Sequence, residues 1–184
     1  MAERICPWWK GFFLINPFRK IYENPDKILA PYLKEGMQVL EVGPGMGFFT
    51  IPIARYIGNT GKIVCVDIQE KMLKSLRKRA ERARIAERLD IRLASSTSLN
   101  IKDLNETIDF ILAYAVVHEI ESPDIIFKEL FNALKKNGLL LISEPKNHVT
   151  MESFNTSIMI AEKAGFKIIN NLEIPKNHSI LMTK

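Results

Sequence analysis

The sequence predicts an α/β fold with a seven-stranded, mostly parallel sheet, helices on both faces and an antiparallel strand pair at the carboxyl end of the chain. Two observations predict it. Short apolar segments, typical of strands buried on both faces, alternate with segments of helical periodicity. The last two apolar segments are joined by the short polar link LEIPKNH, which favours an antiparallel pair.

Seven segments are predicted as strands because aliphatic and β-branched residues dominate them and turn residues bound them. They are Met37–Val42, Lys62–Asp67, Asp90–Ala94, Ile108–Ala113, Leu139–Glu144, Phe166–Asn170 and Ser179–Thr183. We expect the first five to be parallel, since long crossover connections join them.

Capping residues and glycines bound the predicted helices. The segment Asn24–Asp26 begins a helix that runs to about Glu35. The next helix extends to about Tyr56 and carries Pro52 in its first turn, where a missing amide hydrogen is tolerated. Three further helices are predicted: Glu70–Arg84, one that begins at Ser122–Asp124 and closes at Asn137-Gly138, and Met151–Ala164, closed by Gly165.

The composition bounds the class of protein. With 184 residues, 47% hydrophobic and 26% charged, the chain is expected to form a single folded domain. No apolar stretch has the ~18 residues of a membrane span, and the first residues lack the pattern of a signal peptide. Cys6 and Cys65 are too few for a disulfide framework or a thiolate zinc cluster. We therefore expect a cytoplasmic protein with reduced thiols.

The net charge of +5 is concentrated in the third predicted helix, residues 70–84. Its basic residues are Lys71, Lys74, Arg77, Lys78, Arg79, Arg82 and Arg84. Apolar residues recur between them at helical spacing, so the basic residues cover the outer face. A solvated helix face explains this pattern. The alternative is a nucleic-acid surface, although no aromatic base-reading side chains accompany the charge.

A glycine-rich turn after the first strand is the strongest indication of a ligand site. The segment Glu41–Gly47 (EVGPGMG) lies at the sheet edge where parallel α/β folds bind ligands. Its glycines allow close backbone approach, and the following helix start offers amide hydrogens to an anion. Asp67 ends the second strand about 20 residues further on, where a carboxylate can accept hydrogen bonds from two ribose hydroxyls. These residues predict a cofactor that contains adenosine.

Two other nucleotide-binding patterns do not match. A dinucleotide site of the form GxGxxG requires glycine at the sixth position, which is Phe48 here. A P-loop requires Gly-Lys-Ser/Thr after the turn, and this turn continues with other residues. The pattern is instead GxGxG, with the acidic residue Glu41 two positions before it.

VLEVGPGMGFFT resembles the first motif of class I S-adenosylmethionine-dependent methyltransferases, and VDIQ resembles their second motif. IDFILAYAVVHEI and LKKNGLLLISEP resemble the segments at their fourth and fifth strands. The resemblance runs from about Met37 to Lys184 and is greatest to the small quinone- and sterol-type methyltransferases. It implies a Rossmann-like fold in which residues 37–184 bind S-adenosylmethionine and residues 1–36 form an N-terminal aromatic lid segment and helix.

The resemblance also implies how the methionine end of S-adenosylmethionine is held. The turn would contact it through Gly43, Pro44, Gly45 and Gly47. Glu41 would receive its amino group, directly or through water.

The adenosine end would be bound by residues after the second and third strands. Asp67 would bind the ribose and Ile68 would lie beside the adenine. LASSTSL resembles the segment that usually carries an Asp-Ala pair at the adenine edge. Ser95 stands in place of that Asp, so Ser95 or the Ser96 amide is expected to make the contact.

Methyl transfer from a sulfonium is an in-line displacement that requires the acceptor ~3–3.5 Å from the methyl group. A base is needed only if the acceptor must lose a proton. Ala113 and Tyr114, at the end of the fourth strand, are expected beside the methyl group. The Tyr114 ring could contact the sulfonium in a cation–π interaction worth ~1–2 kcal/mol. Alternatively, it only packs at the end of the strand.

His118 follows the fourth strand and has two interpretations, a general base or a residue that packs its loop. Together with Glu144 and His148 it could also hold a divalent metal. The sequence has no i, i+4 ligand pair for such a site on one helix, and we expect no bound metal.

The first 22 residues are rich in aromatic side chains: Trp8, Trp9, Phe12, Phe13, Phe18 and Tyr22. Family members commonly place the residues before the first strand over the active site. These side chains could therefore form an apolar lid that excludes water from the substrate. Alternatively, they cover the back of the sheet as core, or they form a homodimer or membrane-surface contact.

The sequence therefore predicts an S-adenosylmethionine-dependent methyltransferase that acts on a small-molecule acceptor and releases S-adenosylhomocysteine. The alternative is an RNA methyltransferase or RNA-binding module that uses the basic helix 70–84. The segment Ala113–Val116 argues against that alternative, since enzymes that methylate nucleobase amino groups favour an Asn/Asp-Pro-Pro-aromatic motif there. A third hypothesis is a non-catalytic scaffold with a relic pocket.

Overall fold

The structure is a computed structural model that describes residues 23–184. A single sheet organises these residues. Its strand order is β3-β2-β1-β4-β5-β7-β6. The strands are β1 (Gln38–Val42), β2 (Lys62–Asp67), β3 (Leu89–Leu93), β4 (Ile108–Tyr114), β5 (Leu134–Pro145), β6 (Lys167–Asn171) and β7 (Asn177–Thr183). The first five pair in parallel, and β7 runs antiparallel to β5 and β6. The predicted fold class is confirmed.

The N-terminal aromatic stretch and Cys6 lie outside the described residues, and so do the hypotheses that concern them. The described helices are α1 (Pro25–Leu29), α2 (Thr50–Tyr56), α3 (Glu70–Arg82), α4 (Pro123–Ala133) and α5 (Met151–Ala164). In the same described part of the chain, short 3-10 turns lie at Ala86–Arg88, Lys102–Leu104 and Val117–Glu119. Within residues 23–184, no helix has the length and apolar character that a membrane crossing requires.

The helix α5 has the predicted boundaries. The Thr150 hydroxyl accepts a hydrogen bond from the Ser153 amide at 3.1 Å and caps its first turn. Gly165 closes it with a φ of 117°, a conformation that glycine adopts without strain.

The predicted extent of α1 is wrong. Asn24 caps it as expected, with its Oδ1 accepting from the Asp26 amide at 3.0 Å. However, α1 ends at Leu29, because the following turns bring Leu33 into the same apolar core as Leu29. These turns end where the Gly36 amide donates to the Ile57 carbonyl at 2.9 Å.

The predicted end of α4 at Asn137-Gly138 is also wrong. The helix ends at Ala133, and Leu134 already pairs with Ile108 of β4. This pairing buries Leu134 completely, which outweighs one more helical turn. Asn137, with a φ of 64°, instead lies in an irregular part of β5.

Apolar cores cover both faces of the sheet, because alternate residues of each strand point to opposite sides. In β1 and β4, Leu40 and Ile111 belong to one core, whereas Val39 and Phe110 belong to the other. The central parallel strands are therefore mostly apolar. Their buried polar residues, Glu41, Ser143 and Glu144, lie toward the carboxyl ends, near the point between β1 and β4 where the strand order reverses.

Candidate active site

A cavity of about 1020 Å³ opens at the carboxyl ends of the parallel strands. We divide it into two halves by the residues that line them. The glycine half is lined by the turn after β1 (residues 41–46), the end of β2 (residues 66–69) and the loop after β3 (residues 94–96). The histidine half is lined by residues 115–121 after β4, by residues 144, 145 and 147–149 after β5, and by Ser153, Thr156, Ser157 and Ile160 of α5. Tyr114, the last residue of β4, also lines the cavity and directly precedes the first loop of the histidine half.

The three glycines of the turn have different surroundings. All have positive φ values, 67° at Gly43, 53° at Gly45 and 87° at Gly47. A Cβ at Gly43 would lie 2.6 Å from Cγ2 of Val116, and one at Gly47 would lie 2.6 Å from Cδ1 of Leu76. Among residues 23–184, a Cβ at Gly45 would meet nothing within 4 Å. Gly43 and Gly47 therefore serve close packing, whereas Gly45 faces open space that a ligand can fill.

Asp67 is joined to this turn through the backbone. Its carboxylate accepts hydrogen bonds from the amides of Gln69, at 2.8 Å, of Gly45 and of Ile68. Burial raises the pKa of Asp67, and these amide hydrogen bonds oppose the rise. The carboxylate is thus held at the cavity wall at a position that the backbone determines.

Glu41 lies at the base of the glycine half and is only 3% exposed. The Thr50 hydroxyl donates a hydrogen bond to its Oε2 at 2.6 Å. Burial raises the pKa of Glu41 to about 7; the Thr50 hydrogen bond opposes the rise and the Asp67 charge adds to it. A cation that enters the cavity would stabilise the ionised form of this carboxyl group.

The adenine-edge candidates also lie on the glycine half. Ile68 is 41% exposed, so its apolar side chain is presented to the cavity. Ser95 and Ser96 line the cavity beside it. The Ser95 amide and hydroxyl both donate to the Ser98 carbonyl, at 2.8 and 3.3 Å, which favours the Ser96 amide over Ser95.

Two predicted contact residues do not line the cavity. Gly47 is turned toward Leu76 of α3. Ala113 is 1% exposed and lies inside the sheet, between Val42 and Ile142. The remaining predicted residues, including Pro44, lie on the wall.

Tyr114 ends β4, where it packs into the apolar core and also lines the cavity. It is 6% exposed, and its ring lies 4.5 Å from the Phe49 ring between centroids. Its hydroxyl accepts a hydrogen bond from Nδ2 of Asn177 at 3.0 Å. Because Asn177 comes from β7, the Tyr114 ring is held from across the sheet.

A histidine–carboxylate pair lies in the histidine half. Nδ1 of His118 is hydrogen-bonded to Oε2 of Glu144. The other carboxylate oxygen, Oε1, accepts from the amides of Val116 at 3.0 Å and Val117 at 2.8 Å. Burial lowers the pKa of His118, but the hydrogen bond and charge of Glu144, helped by the charge of Glu119, outweigh burial and raise it above its usual value.

The alternative metal set is not assembled in the described part of the chain. Within residues 23–184, no group of three His, Cys, Asp or Glu side chains has metal-site spacing. The rings of His118 and His148 lie parallel with centroids 6.3 Å apart. Both oxygens of Glu144 are already used by His118 and by two backbone amides.

The sequence pattern did not reveal two contacts of the site, Thr50 with Glu41 and Asn177 with Tyr114. It grouped Glu144 with His118 only as possible metal ligands, whereas the structure joins them by a direct hydrogen bond. Glu144 lies near the carboxyl end of β5, the strand beside β4, so adjacent parallel strands bring it near the loop that carries His118.

The basic face of α3 lies away from most of the cavity. Of the residues of α3, only Met72 lines the cavity wall. Nζ of Lys74 lies 3.0 Å from Glu70 in an exposed ion pair, which is worth little. Arg79 differs, because its guanidinium donates to the carbonyl of Met46 in the glycine turn at 2.5 Å.

Comparisons with known proteins agree with this geometry. A family model described as a methyltransferase domain matches residues 33–176. The ribosomal protein L11 methyltransferase of Aquifex aeolicus is 33% identical over 142 residues, which are 73% of this chain and 53% of that protein. The ubiquinone/menaquinone biosynthesis C-methyltransferase UbiE of Escherichia coli O1:K1 / APEC is 29% identical over 112 residues, 61% of this chain and 44% of that protein. The chain spans about half the length of these curated relatives.

A solved structure extends the similarity to nearly the whole chain. The structure of an S-adenosylmethionine-dependent methyltransferase from Aquifex aeolicus matches with a TM-score of 0.86 at 25% identity. The match covers 97% of this chain and 98% of that one. With the family model, the strand order and the turn between β1 and α2, it establishes that the chain belongs to the class I S-adenosylmethionine-dependent methyltransferases.

Proposed function

We propose that this protein transfers a methyl group from S-adenosylmethionine to a small-molecule acceptor. The donor occupies the glycine half of the cavity and the acceptor occupies the histidine half. One observation carries the proposal. Open space in front of Gly45, the carboxylates of Asp67 and Glu41, and the His118–Glu144 pair all belong to one continuous cavity.

The residues of the glycine half fit each part of the donor. Asp67 presents a half-buried acceptor for the ribose hydroxyls, and the exposed face of Ile68 suits the adenine ring. Glu41 supplies a negative charge for the donor's ammonium group. The turn around Gly45 gives the donor's carboxylate access to backbone amides.

The size of the cavity supports a small acceptor. Clefts for small ligands are about 300–1,000 Å³, and this cavity of about 1020 Å³ must hold the donor as well. The UbiE relative acts in quinone biosynthesis by its name, which supports a small acceptor, whereas the other curated relative is named for a ribosomal protein. The size of the cavity favours the small acceptor, and we propose that Tyr114 lies beside the methyl group and His118 beside the acceptor.

Calorimetric titration with S-adenosylhomocysteine tests the proposal. We expect one site with a dissociation constant of micromolar order, near −8 kcal/mol. The His118→Ala variant, which changes only the histidine half, serves as the matched control and should bind equally. A folded sample that binds no S-adenosylhomocysteine would overturn the proposal.

A further inference from the structure

We propose that Glu144 is a positioning residue that holds His118 with its proton on Nδ1 and leaves Nε2 to accept a proton from the acceptor. The acceptor would then be a protic nucleophile, a hydroxyl or N–H compound. This inference rests on the proposed function and specifies the acceptor class of the same site.

The contacts of Glu144 favour one arrangement of the pair, because two backbone amides donate to its carboxylate. Its side chain is 2% exposed, and two backbone amides, from Val116 and Val117, hold Oε1 in place. Oε2 is thereby aimed at Nδ1 of His118. An ionised carboxylate only accepts hydrogen bonds, so Nδ1 must donate. In neutral His118 the lone pair is therefore on Nε2.

The other charged groups that the structure describes around His118 do not compete for Nδ1. Oε1 of Glu119, from the same 3-10 turn, lies 3.9 Å from Nε2, beyond hydrogen-bond distance. His148, after β5, presents a parallel ring at 6.3 Å. Glu121 also lines the histidine half. Ser153, Thr156 and Ser157 of α5, which line this half too, carry no charge.

The proton transfer balances with methyl transfer. The acceptor's O–H or N–H bond breaks as its oxygen or nitrogen bonds to the methyl carbon. The proton goes to Nε2 of His118, and the electron pair of the sulfur–methyl bond stays on sulfur. The imidazolium that forms is stabilised by the buried carboxylate of Glu144, and it then loses its proton to solvent.

The Glu144→Gln variant tests the positioning role through the tautomer of His118. Its amide oxygen can still accept from the backbone, but its NH2 group would face Nδ1, which must then be the acceptor. Nitrogen-15 NMR of the imidazoles, with S-adenosylhomocysteine present, reports which ring nitrogen carries the proton. The chain has three histidines, and His148→Gln and His178→Gln assign their signals.

We expect Nδ1–H in the original protein, Nε2–H in Glu144→Gln and an unchanged tautomer in Glu119→Gln, the control for a nearby charge. An Nε2–H tautomer in the original protein would overturn the positioning role. A tautomer that Glu144→Gln leaves unchanged would do the same.

The acceptor class is tested with matched probes on the same NMR signals. Phenol and pyrazole should shift the Nε2 signal of His118, and anisole and N-methylpyrazole should not. Equal shifts from a probe and its methylated counterpart, or no shift from either protic probe, would overturn the acceptor class. Calorimetry on the same sample separates this failure from that of the proposed function, since only the latter abolishes S-adenosylhomocysteine binding.

Discussion

The two halves of the cavity are built in different ways. The glycine half is formed mainly by backbone within short stretches of sequence, and Asp67 is attached to the turn by amides such as that of Gly45. The histidine half is formed by side chains from distant segments, since His118 and Glu144 come from the loops after β4 and β5. A half built from backbone suits a donor that is shared across a family. A half built from side chains can change with the acceptor while the fold stays the same.

Asp67→Ala should produce the largest effect, and this effect should be confined to the glycine half. It removes charge-assisted hydrogen bonds to two ribose hydroxyls, each worth ~1.5–3 kcal/mol. We expect S-adenosylhomocysteine affinity to fall at least ~100-fold by calorimetry. His118→Ala should change it less than about threefold. Equal losses in the two variants would contradict the division of the cavity.

Gly45→Ala and Gly47→Ala form a matched pair within one turn. Gly47→Ala should destabilise the fold by ~2–3 kcal/mol, because it adds a clash with Leu76 to the strain of positive φ. Gly45→Ala should cost only the strain, ~1–2 kcal/mol, and weaken S-adenosylhomocysteine binding about tenfold by filling cavity space. Urea denaturation and calorimetry distinguish them. Binding by Gly45→Ala with unchanged affinity would show that the ligand does not approach this turn.

Glu41→Gln should separate stability from binding. Burial raises the pKa of Glu41 from 4.5 to about 7, so its stabilising contribution is present below about pH 4.5 and is lost as the pH rises through 7. Without ligand, Glu41→Gln should be the more stable protein at pH 8, by ~1–3 kcal/mol, and should lose this pH dependence. It should also bind S-adenosylmethionine more weakly, since the donor's ammonium loses its partner. Chemical denaturation at pH 5 and pH 8 measures the first effect, and a variant less stable than the original at pH 8 would contradict the reasoning.

Lys74→Glu/Lys78→Glu should have the smallest effect. Both side chains are exposed on α3 and neither lines the cavity. We expect S-adenosylhomocysteine affinity within about twofold of the original by calorimetry. The same variant tests the RNA alternative. Affinity for RNA that falls steeply with salt and is lost in this variant would favour a nucleic-acid acceptor.

Much of the fold could be predicted because its determinants are local. Asn24 caps α1, Gly165 closes α5, and alternating apolar strands with crossover helices dictate a parallel sheet. The errors occurred where tertiary contacts opposed a local signal. The pairing of Leu134 with Ile108 ended α4 before the Asn137-Gly138 stop signal.

The order of the elements, the glycine turn and the position of Asp67 follow from the sequence, because capping, periodicity and turn chemistry act over a few residues. The hydrogen bonds of Thr50 with Glu41, of Asn177 with Tyr114 and of Glu144 with His118 depend on the packed fold. The last two contacts join residues far apart in the chain and form only once β4, β5 and β7 lie side by side. A sequence pattern can place such residues at the same edge of the sheet, but which atoms bond is decided only when folding brings the groups together.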